Sequence, residues 1–256
     1  MGRTGPRGHE IIFNGYRAST QCERIRGNSI IYLDRFDVNC NGLLGRSFIN
    51  QYRMSGKCDH SGLKYEHTCI NPGVWNKVGE EGAKVYCDGW LRYGTGNKWV
   101  PAKQVSGWMA CGNQWGDPAP GIKKECQCSS NVASGATQCS NHNNGCQCCR
   151  DKKIQYMDRQ PVYCPNGKAL TKFRARSCPG RGITTDFTCC KATWGMSDCQ
   201  QRYTGCQVSD HHPVEYLDRH NLQCPEFFAM TSFHFVRSGC WGGHHRYAFT
   251  CCRIRK

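Results

Sequence analysis

Cysteine is the residue type through which this chain could do the most chemistry, because it occurs 22 times in 256 residues. Reduced cysteines would bind zinc, and structural zinc sites normally use Cys-x-x-Cys pairs. The pairs in this chain, such as Cys126-x-Cys128, are spaced too tightly for that geometry. The alternative is up to eleven disulfides, each of which contributes about 2–4 kcal/mol to stability. Disulfides persist in oxidising compartments, so the sequence predicts a secreted, extracellular protein without a metal or cofactor.

Most of these cysteines belong to a frame that occurs three times. The frame is Cys-x9-Tyr-[Leu/Met]-Asp-Arg-x4-Cys, followed after a gap of 13 to 17 residues by Cys-x9-Thr-Cys. Three copies with four shared cysteines indicate an internal repeat, whose units we call segments A, B and C. The cysteines predicted to form disulfides in this frame are Cys22, Cys40, Cys58 and Cys69 in segment A, Cys146, Cys164, Cys178, Cys189 and Cys190 in segment B, and Cys206, Cys224, Cys240, Cys251 and Cys252 in segment C.

An Asp-Arg pair recurs in every copy and could bind a carboxylate or take part in acid–base chemistry. Catalytic sets usually occur once in a chain, so the triplicated pair favours a structural role. We expect the aspartate to end a strand in a turn and the arginine to bind a carboxylate or a backbone oxygen. No other arrangement typical of catalysis stands out, so the sequence predicts that the protein is not an enzyme. The repeated residues are Tyr32, Asp34 and Arg35, then Tyr156, Asp158 and Arg159, then Tyr216, Asp218 and Arg219.

Positive charge is concentrated in the C-terminal part of the chain, where residues 146–256 supply +9 of the formal net charge of +15. The sequence alternates in segment B, so Lys172, Arg174 and Arg176 would share one face of a strand. Such a face suits a repeating polyanion, which in a secreted protein would be a sulfated glycosaminoglycan rather than nucleic acid. The alternative is a solvated face without a ligand. The candidate ligand-binding cations are Lys168, Lys172, Arg174, Arg176 and Arg181.

Tryptophan is concentrated between residues 71 and 145, which contain five of the seven tryptophans. Trp90, Trp99 and Trp108 could present flat apolar rings to sugars, and two of them follow a glycine. The alternative is that the rings form the core of a stretch with few aliphatic residues. A carbohydrate-binding role therefore stays open beside a structural one.

Histidine is concentrated in segment C, which contains six of the ten histidines. A zinc or copper site is one interpretation, but adjacent histidines rarely converge on one ion. Positions in turns and on the surface are the expectation for these residues.

The elements that must position these residues are predicted to be short strands. Aliphatic and β-branched runs at Ile11–Phe13 and Ile30–Leu33 are bounded by Asn and Gly, as strands often are. Alternation in segments B and C predicts further strands, and no stretch shows sustained helical periodicity. The stretch from 129 to 145 is rich in Ser, Asn and Gly and is predicted to be a loop. The predicted fold is all-β and disulfide-rich, with three small β repeats that pack together and little helix.

The predicted organisation is a terminal stub, three β repeats and one insert. Residues 1–9 contain two Gly-X-Y triplets, which indicate a collagen-like stub or a flexible terminus. A collagen-like rod would make the assembly a homotrimer. The remaining divisions are 10–70 for segment A, 71–145 for the Trp/Cys-rich insert, 146–198 for segment B and 199–256 for segment C. The insert has an odd number of cysteines, so it must cross-link to a repeat or leave one thiol unpaired.

Two stretches carry a resemblance to a known family. They are Asp158-Arg159-Gln160-Pro161-Val162-Tyr163-Cys164-Pro165 in segment B and Arg246-Tyr247-Ala248-Phe249-Thr250-Cys251-Cys252-Arg253 in segment C. They are similar to the repeat unit of the dermatopontin family of extracellular matrix proteins. That unit opens near Asp-x-Pro-Val-x-x-x-Cys-Pro and closes near Asp-Arg-x-Trp-x-Phe-x-Cys-Cys. The resemblance implies matrix assembly, cell adhesion or glycan-dependent agglutination, without catalysis.

Taken together, these features predict a secreted matrix or adhesion module. Its expected partner is an anionic glycan or an extracellular matrix protein, and the chain could be the C-terminal domain of a collagen-like chain. Two alternatives stay open: a lectin or agglutinin that uses the insert, and a basic secreted toxin or antimicrobial protein. No apolar run is long enough to span a membrane, and nucleic acid is not an expected partner.

Overall fold

The computed structural model describes residues 9–254, apart from 13–14, 25–28, 43–44, 59–61, 71–74, 97, 101, 131–135, 149–152, 166, 180–181 and 194. The fold is all-β and disulfide-rich, as the sequence predicts, with a few short 3-10 helices. No helix in this part of the chain is long and apolar enough to cross a membrane. The Gly-X-Y triplets lie outside the described residues.

The strands fall into four groups along the chain. Segment A contains β1 (His9–Ile12), β2 (Gly15–Ser19), β3 (Glu23–Arg24), β4 (Val38–Asn39), β5 (Asn41–Gly42), β6 (Gly45–Arg46), β7 (Phe48–Cys58) and β8 (Gly62–Ile70). The insert contains β9 (Asn76–Glu80), β10 (Lys84–Thr95), β11 (Lys98–Trp99), β12 (Lys103–Ala110) and β13 (Glu125–Ser130). Next come β14 (Ala136–Asn143), β15 (Gln147–Cys148), β16 (Val162–Tyr163), β17 (Lys168–Cys178) and β18 (Gly182–Ala192). The last group is β19 (Met196–Tyr203), β20 (Gln207–Val208), β21 (Asn221–Gln223), β22 (Phe228–Val236) and β23 (His244–Ile254).

Segments A, B and C have the same order of strand pairing. In each, two long strands form an antiparallel hairpin, which is β7 with β8, β17 with β18, or β22 with β23. A strand that precedes the first frame cysteine pairs with the second hairpin strand. These strands are β2, β14, which lies in the predicted insert, and β19, which begins before residue 199. A two-residue strand, β3, β15 or β20, pairs with that same hairpin strand. The frame in the sequence therefore corresponds to a recurring set of paired strands.

The Tyr-[Leu/Met]-Asp-Arg element lies in a 3-10 helix in every segment. The strand predicted at Ile30–Leu33 is therefore wrong. Three residues form one turn of a 3-10 helix, so residues three apart share a face. Ile30, Leu33 and the following Phe36 all point inwards and are at most 1% exposed. The three helices are Ile30–Arg35, Ile154–Arg159 and Val214–Arg219.

A short strand from each segment pairs with a long strand of another segment, in cyclic order. Strand β4 of segment A pairs with β17 of segment B, and β16 of segment B pairs with β22 of segment C. Strand β21 of segment C pairs with β7 of segment A and closes the ring. The 3-10 helices follow the same order, because those of A, B and C pack on β17, β22 and β7. The sheet of each segment therefore includes a short strand contributed by another segment.

The centre of the ring is an aromatic cluster. Tyr52, Phe173 and Phe233 come from β7, β17 and β22, and their ring centroids lie 4.8 to 5.0 Å apart. Contacts of this kind add about 0.5–1.5 kcal/mol per pair to the effect of burial. The buried hydrophobic cluster around them contains residues of all three segments. The segments thus share one core, as expected for units too small to bury an apolar face alone.

Ten disulfides hold the described residues together, and they too follow the frame. The first and third frame cysteines are joined as Cys22–Cys58, Cys146–Cys178 and Cys206–Cys240. The second and fourth are joined as Cys40–Cys69, Cys164–Cys189 and Cys224–Cys251. Two more, Cys139–Cys190 and Cys199–Cys252, join the preceding strand β14 or β19 to the cysteine that follows the fourth frame cysteine. The insert has Cys87–Cys128 and Cys111–Cys126.

The insert forms a separate sheet with a small core of its own. Strand β10 is central and pairs with β11, β12 and β13, while β9 pairs with β13. Buried Leu91 and Tyr93 pack there with both disulfides of the insert. The loop predicted for 129–145 is wrong at residues 136–143, which form strand β14 and pair with β18. Its partner strand overrides a composition that favours turns, and Cys139 cross-links this stretch to segment B.

Candidate functional site

The basic face predicted for segment B is present on β17. Arg174 and Arg176 are exposed and Lys172 is half-buried, whereas Phe173 between them lies in the core. The side chains of a strand alternate between its two faces, which explains this arrangement. Strand β17 therefore contains four of the five cations that the sequence singles out, and three of them, Lys172, Arg174 and Arg176, share one face.

Two of these three cations already have carboxylate partners. The Nζ atom of Lys172 lies 3.1 Å from a carboxylate oxygen of Asp37, and Nε of Arg176 lies 2.7 Å from one of Asp186. Asp37 comes from segment A and Asp186 from the facing strand β18. The fold thus places acidic groups beside a stretch of sequence that contains none.

The remaining candidate cations are also engaged or lie elsewhere. Arg174 donates two hydrogen bonds to the backbone oxygen of Asp34, at 3.0 and 3.1 Å. Lys168 donates to Oγ of Ser140 at 2.9 Å. Arg181 lies outside the described residues. An anionic polymer on β17 would therefore compete with partners that these side chains already have.

Two of the three candidate tryptophans have structural contacts. Trp90 is partly buried and packs against the main core. The guanidinium of Arg92 lies 4.2 Å from the ring centroid of Trp99 and 4.4 Å from that of Trp75. Burial lowers the pKa of Arg92 to about 10, and the two aromatic rings stabilise its charge. Trp90 and Trp99 therefore serve the packing of the insert.

Trp108 is different, because it is 65% exposed on strand β12. Tyr86 lies directly opposite on β10 and is 52% exposed. The two rings meet edge to face, with centroids 5.6 Å apart. We call Tyr86 and Trp108 the insert platform. Sequence reasoning missed Tyr86; the signal that could have found it is the alternation along 84–90, which places it on the exposed face of its strand.

Polar side chains flank the insert platform on the same face of the sheet. Asp88 and Ser106 form the next cross-strand pair, and Gln104 follows on β12. All three are exposed. Residues two apart on a strand share a face, so these hydrogen-bonding groups lie beside the rings. The surface combines an aromatic patch with donors and acceptors at its edge.

The Tyr-x-Asp-Arg element forms an aromatic–cation stack within each 3-10 helix. In such a helix residues three apart lie one above the other, which brings the arginine onto the tyrosine ring. Contacts of this kind at exposed sites contribute about 0.5–1 kcal/mol. The stacking of the arginine on the tyrosine was not predicted from the sequence, although their spacing of three residues is the signal that could have indicated it. The guanidinium-to-centroid distances are 4.8 Å for Arg35 and Tyr32, 4.7 Å for Arg159 and Tyr156, and 3.9 Å for Arg219 and Tyr216.

Segment C contains two buried histidines. His220 and His245 are 2% and 1% exposed, and burial lowers the pKa of His220 to about 4 and also lowers the pKa of His245. Nδ1 of His245 lies 2.6 Å from Oγ of Ser209 and 3.7 Å from a carboxylate oxygen of Asp210. A Ser-His-Asp catalytic set needs one partner on each ring nitrogen. Here both approach the same nitrogen, so the grouping does not have that geometry.

Cys40, His67 and Cys69 form a buried group whose potential ligand atoms lie within 4.8 Å of one another. The two cysteines are joined in a disulfide. Metal binding by cysteine requires the free thiolate. The proximity of the three residues therefore follows from the disulfide and does not define a metal site.

No family model matches the chain, and no curated protein matches it. The class that the fold and its surfaces define is a disulfide-rich all-β protein with an exposed aromatic platform. The resemblance of segments B and C to dermatopontins remains an expectation from their residues.

Proposed function

We propose that the protein is a secreted module of the extracellular matrix or of cell adhesion, that its ligand is a glycan, and that it is not an enzyme. The observation that carries this proposal is the insert platform, where Tyr86 and Trp108 are exposed side by side. Large exposed apolar side chains next to polar groups are typical of binding surfaces. The ten disulfides support an oxidising, extracellular location.

A saccharide matches this surface in shape and in polarity. One face of a pyranose ring presents C–H groups, which pack on an aromatic ring, while the hydroxyl groups at its edge need hydrogen-bond partners. Asp88, Ser106 and Gln104 offer such partners beside the rings. A carboxylate that accepts hydroxyl hydrogen bonds forms the stronger, charge-assisted type. Asp88 would also repel anionic sugars, so we propose that the insert platform selects neutral ones.

The experiment compares Trp108→Ala and Tyr86→Ala with the unmodified protein in binding to a panel of neutral polysaccharides. Each substitution removes half of the platform, so we expect affinity to fall by roughly tenfold or more. Tyr163→Ala is the matched control, because Tyr163 is 67% exposed on β16 and lies outside the insert. Equal binding by all four proteins, or an equal loss in the control, would count against the platform.

An anionic polymer is the second candidate ligand, and the positive charge of segment B favours it. The protein has a formal net charge of +15, and Lys172, Arg174 and Arg176 share one face of β17. Such a surface attracts sulfated glycosaminoglycans through long-range electrostatics even where individual cations have partners. The ligand would displace contacts to Asp37 and Asp186.

Heparin chromatography separates a local site on β17 from the effect of net charge. The test variant changes Lys172, Arg174 and Arg176 to Gln, and the matched control changes three exposed lysines elsewhere. A site on β17 predicts elution at clearly lower salt for the test variant than for the control. If both variants shift equally, binding depends on net charge and the β17 site is refuted. The control lysines are Lys98, Lys103 and Lys123, all in the insert.

A further inference from the structure

The hairpin turn of segment C contains the most exposed large hydrophobic residue of the described chain. Trp241 is 85% exposed and lies between β22 and β23. The neighbouring Cys240 is joined to Cys206, so the turn is tied covalently to the connection between β19 and β20. The ring of His244 lies nearly parallel to that of Trp241, with centroids 6.2 Å apart. The turn therefore holds an aromatic side chain in solvent on a constrained backbone.

Arg246 packs under the same turn. Its guanidinium lies 4.1 Å from the ring centroid of Tyr203, which is 48% exposed. The opposite side of the guanidinium lies against Gly239, where an added Cβ would be 2.1 Å from Nη2 of Arg246. Gly239 also has φ of +75°, a conformation that favours glycine. The turn is thus shaped to let the guanidinium lie against its backbone.

The charge of Arg246 is not neutralised by a carboxylate among the described residues, in contrast to those of Arg237 and Arg253 on either side of it. Arg237 binds both carboxylate oxygens of Asp210, and Arg253 lies 3.8 Å from Asp198. Among the described residues Arg246 has no carboxylate partner, and its buried Nε has no hydrogen-bond acceptor. Stacking between a ring and a backbone fixes the guanidinium plane, so little side-chain entropy is lost when it binds an anion.

From this arrangement we infer a second glycan-binding site, formed by Trp241, Arg246 and Tyr203, which takes an anionic saccharide. The guanidinium would bind a sulfate or carboxylate group through two parallel hydrogen bonds, and Trp241 would pack on the sugar ring. The inference rests on the proposed function in that the ligand is a glycan. It goes further because it assigns anionic sugars to segment C, while the insert platform takes neutral ones. One chain would then join two glycan chains.

The experiment measures binding of a heparin hexasaccharide and of the same hexasaccharide after chemical desulfation. Arg246→Lys keeps the charge but loses the planar fork, so we expect affinity for the sulfated form to fall by about tenfold and the preference for sulfate to shrink. Trp241→Ala should weaken binding of both forms. Arg253→Lys, on the same strand, is the matched control and should bind like the unmodified protein.

The outcomes separate this inference from the proposed function. If neither neutral nor anionic glycans bind the unmodified protein, the proposed function fails together with the inference. If glycans bind but Arg246→Lys and Trp241→Ala match the control, only the inference is overturned. Trp241 is too exposed to be needed for folding, so its variant decides the matter even if Arg246→Lys misfolds. If Arg246→Lys and Trp241→Ala lose binding to anionic phospholipid vesicles while their binding to heparin is unchanged, the inference is also overturned.

Discussion

At the scale of single residues, one position after each 3-10 helix shows how the three segments differ. Phe36, Gln160 and His220 follow the arginine of the frame, and each is almost fully buried. Gln160 donates to the backbone oxygen of Ile183 at 3.0 Å, and Nδ1 of His220 lies 2.9 Å from Oγ1 of Thr204. A buried polar group costs free energy unless it is hydrogen-bonded. Segment C thus has a titratable group where segment A has a phenyl ring.

We expect His220 to make stability depend on pH. Burial lowers its pKa to about 4 in the folded protein, with smaller effects from His245 and Arg219, whereas an unfolded histidine titrates near 6.5. Between these values the unfolded state binds more protons, so stability falls as pH drops from about 6.5 to 4. The loss at the low end is up to about 3 kcal/mol. Urea unfolding at a series of pH values measures it.

The control for this prediction is His211→Gln, because His211 is exposed. His220→Gln should flatten the pH dependence in this window, while His211→Gln should leave its slope unchanged. A slope that persists in His220→Gln would assign the effect to other groups, of which buried His245 is the first candidate.

The sequence was enough to predict the basic face of β17, but it did not indicate the aspartates that its cations contact. Strict alternation was enough to place Lys172, Arg174 and Arg176 on one side of a strand. Asp34 and Asp37 come from segment A, more than a hundred residues earlier, so no local pattern could indicate them. Exposure of individual tryptophans was equally out of reach, because Trp90 and Trp108 share one face of the insert sheet and only Trp90 packs against the main core.

At the scale of elements, the 3-10 helices show that a short run of residues typical of a strand can form a helix. The β-branched run at Ile30–Leu33 is typical of a strand, and this made the prediction wrong. The true signal is a period of three, because the inward residues of segment A are Ile30, Leu33 and Phe36. Segment C repeats it with Val214, Leu217 and His220. The predicted strands of segments B and C lacked this ambiguity, because alternation over longer runs is specific to strands.

The two sides of the segment C helix should differ sharply in their contribution to stability. Leu217 is 3% exposed in the shared core, so Leu217→Ala should lower the free energy of unfolding by about 2–5 kcal/mol. Arg219→Ala removes the stack with Tyr216 on the exposed side of the helix and should cost about 0.5–1 kcal/mol. Denaturant unfolding of both variants measures the difference. Comparable losses would mean that the Tyr-Arg stack is more than a surface contact.

At the scale of the whole molecule, cyclic strand pairing makes the three segments interdependent. Strand β17 pairs with β4 of segment A, and its Phe173 packs on Tyr52 and Phe233 of the other two segments. The sequence indicated three related units that pack together. It could not indicate which segment each short strand joins, because the pairing of β21 with β7 brings together residues about 170 positions apart.

We therefore expect a fragment of residues 136–192 to fail to fold independently. It keeps three disulfides, Cys139–Cys190, Cys146–Cys178 and Cys164–Cys189. It loses three aromatic neighbours of Phe173, which are Tyr52, Tyr65 and Phe233. Its apolar face would be exposed, so thermal unfolding followed by circular dichroism should lack the cooperative transition of the full chain. Mass spectrometry confirms that the same disulfides are present. A cooperative transition at the temperature of the full chain would show that segment B is autonomous.

The overlapping disulfides also determine how the molecule would respond to tension. Within each segment two loops interlock, for example Cys22–Cys58 with Cys40–Cys69. A pulling force would pass across these covalent links and could lengthen little more than the stretches between them, such as those from Cys69 to Cys87 and from Cys190 to Cys199. The chain would lengthen much less than one without disulfides, so in the proposed matrix role a load would pass to its ligands before the segments unravelled.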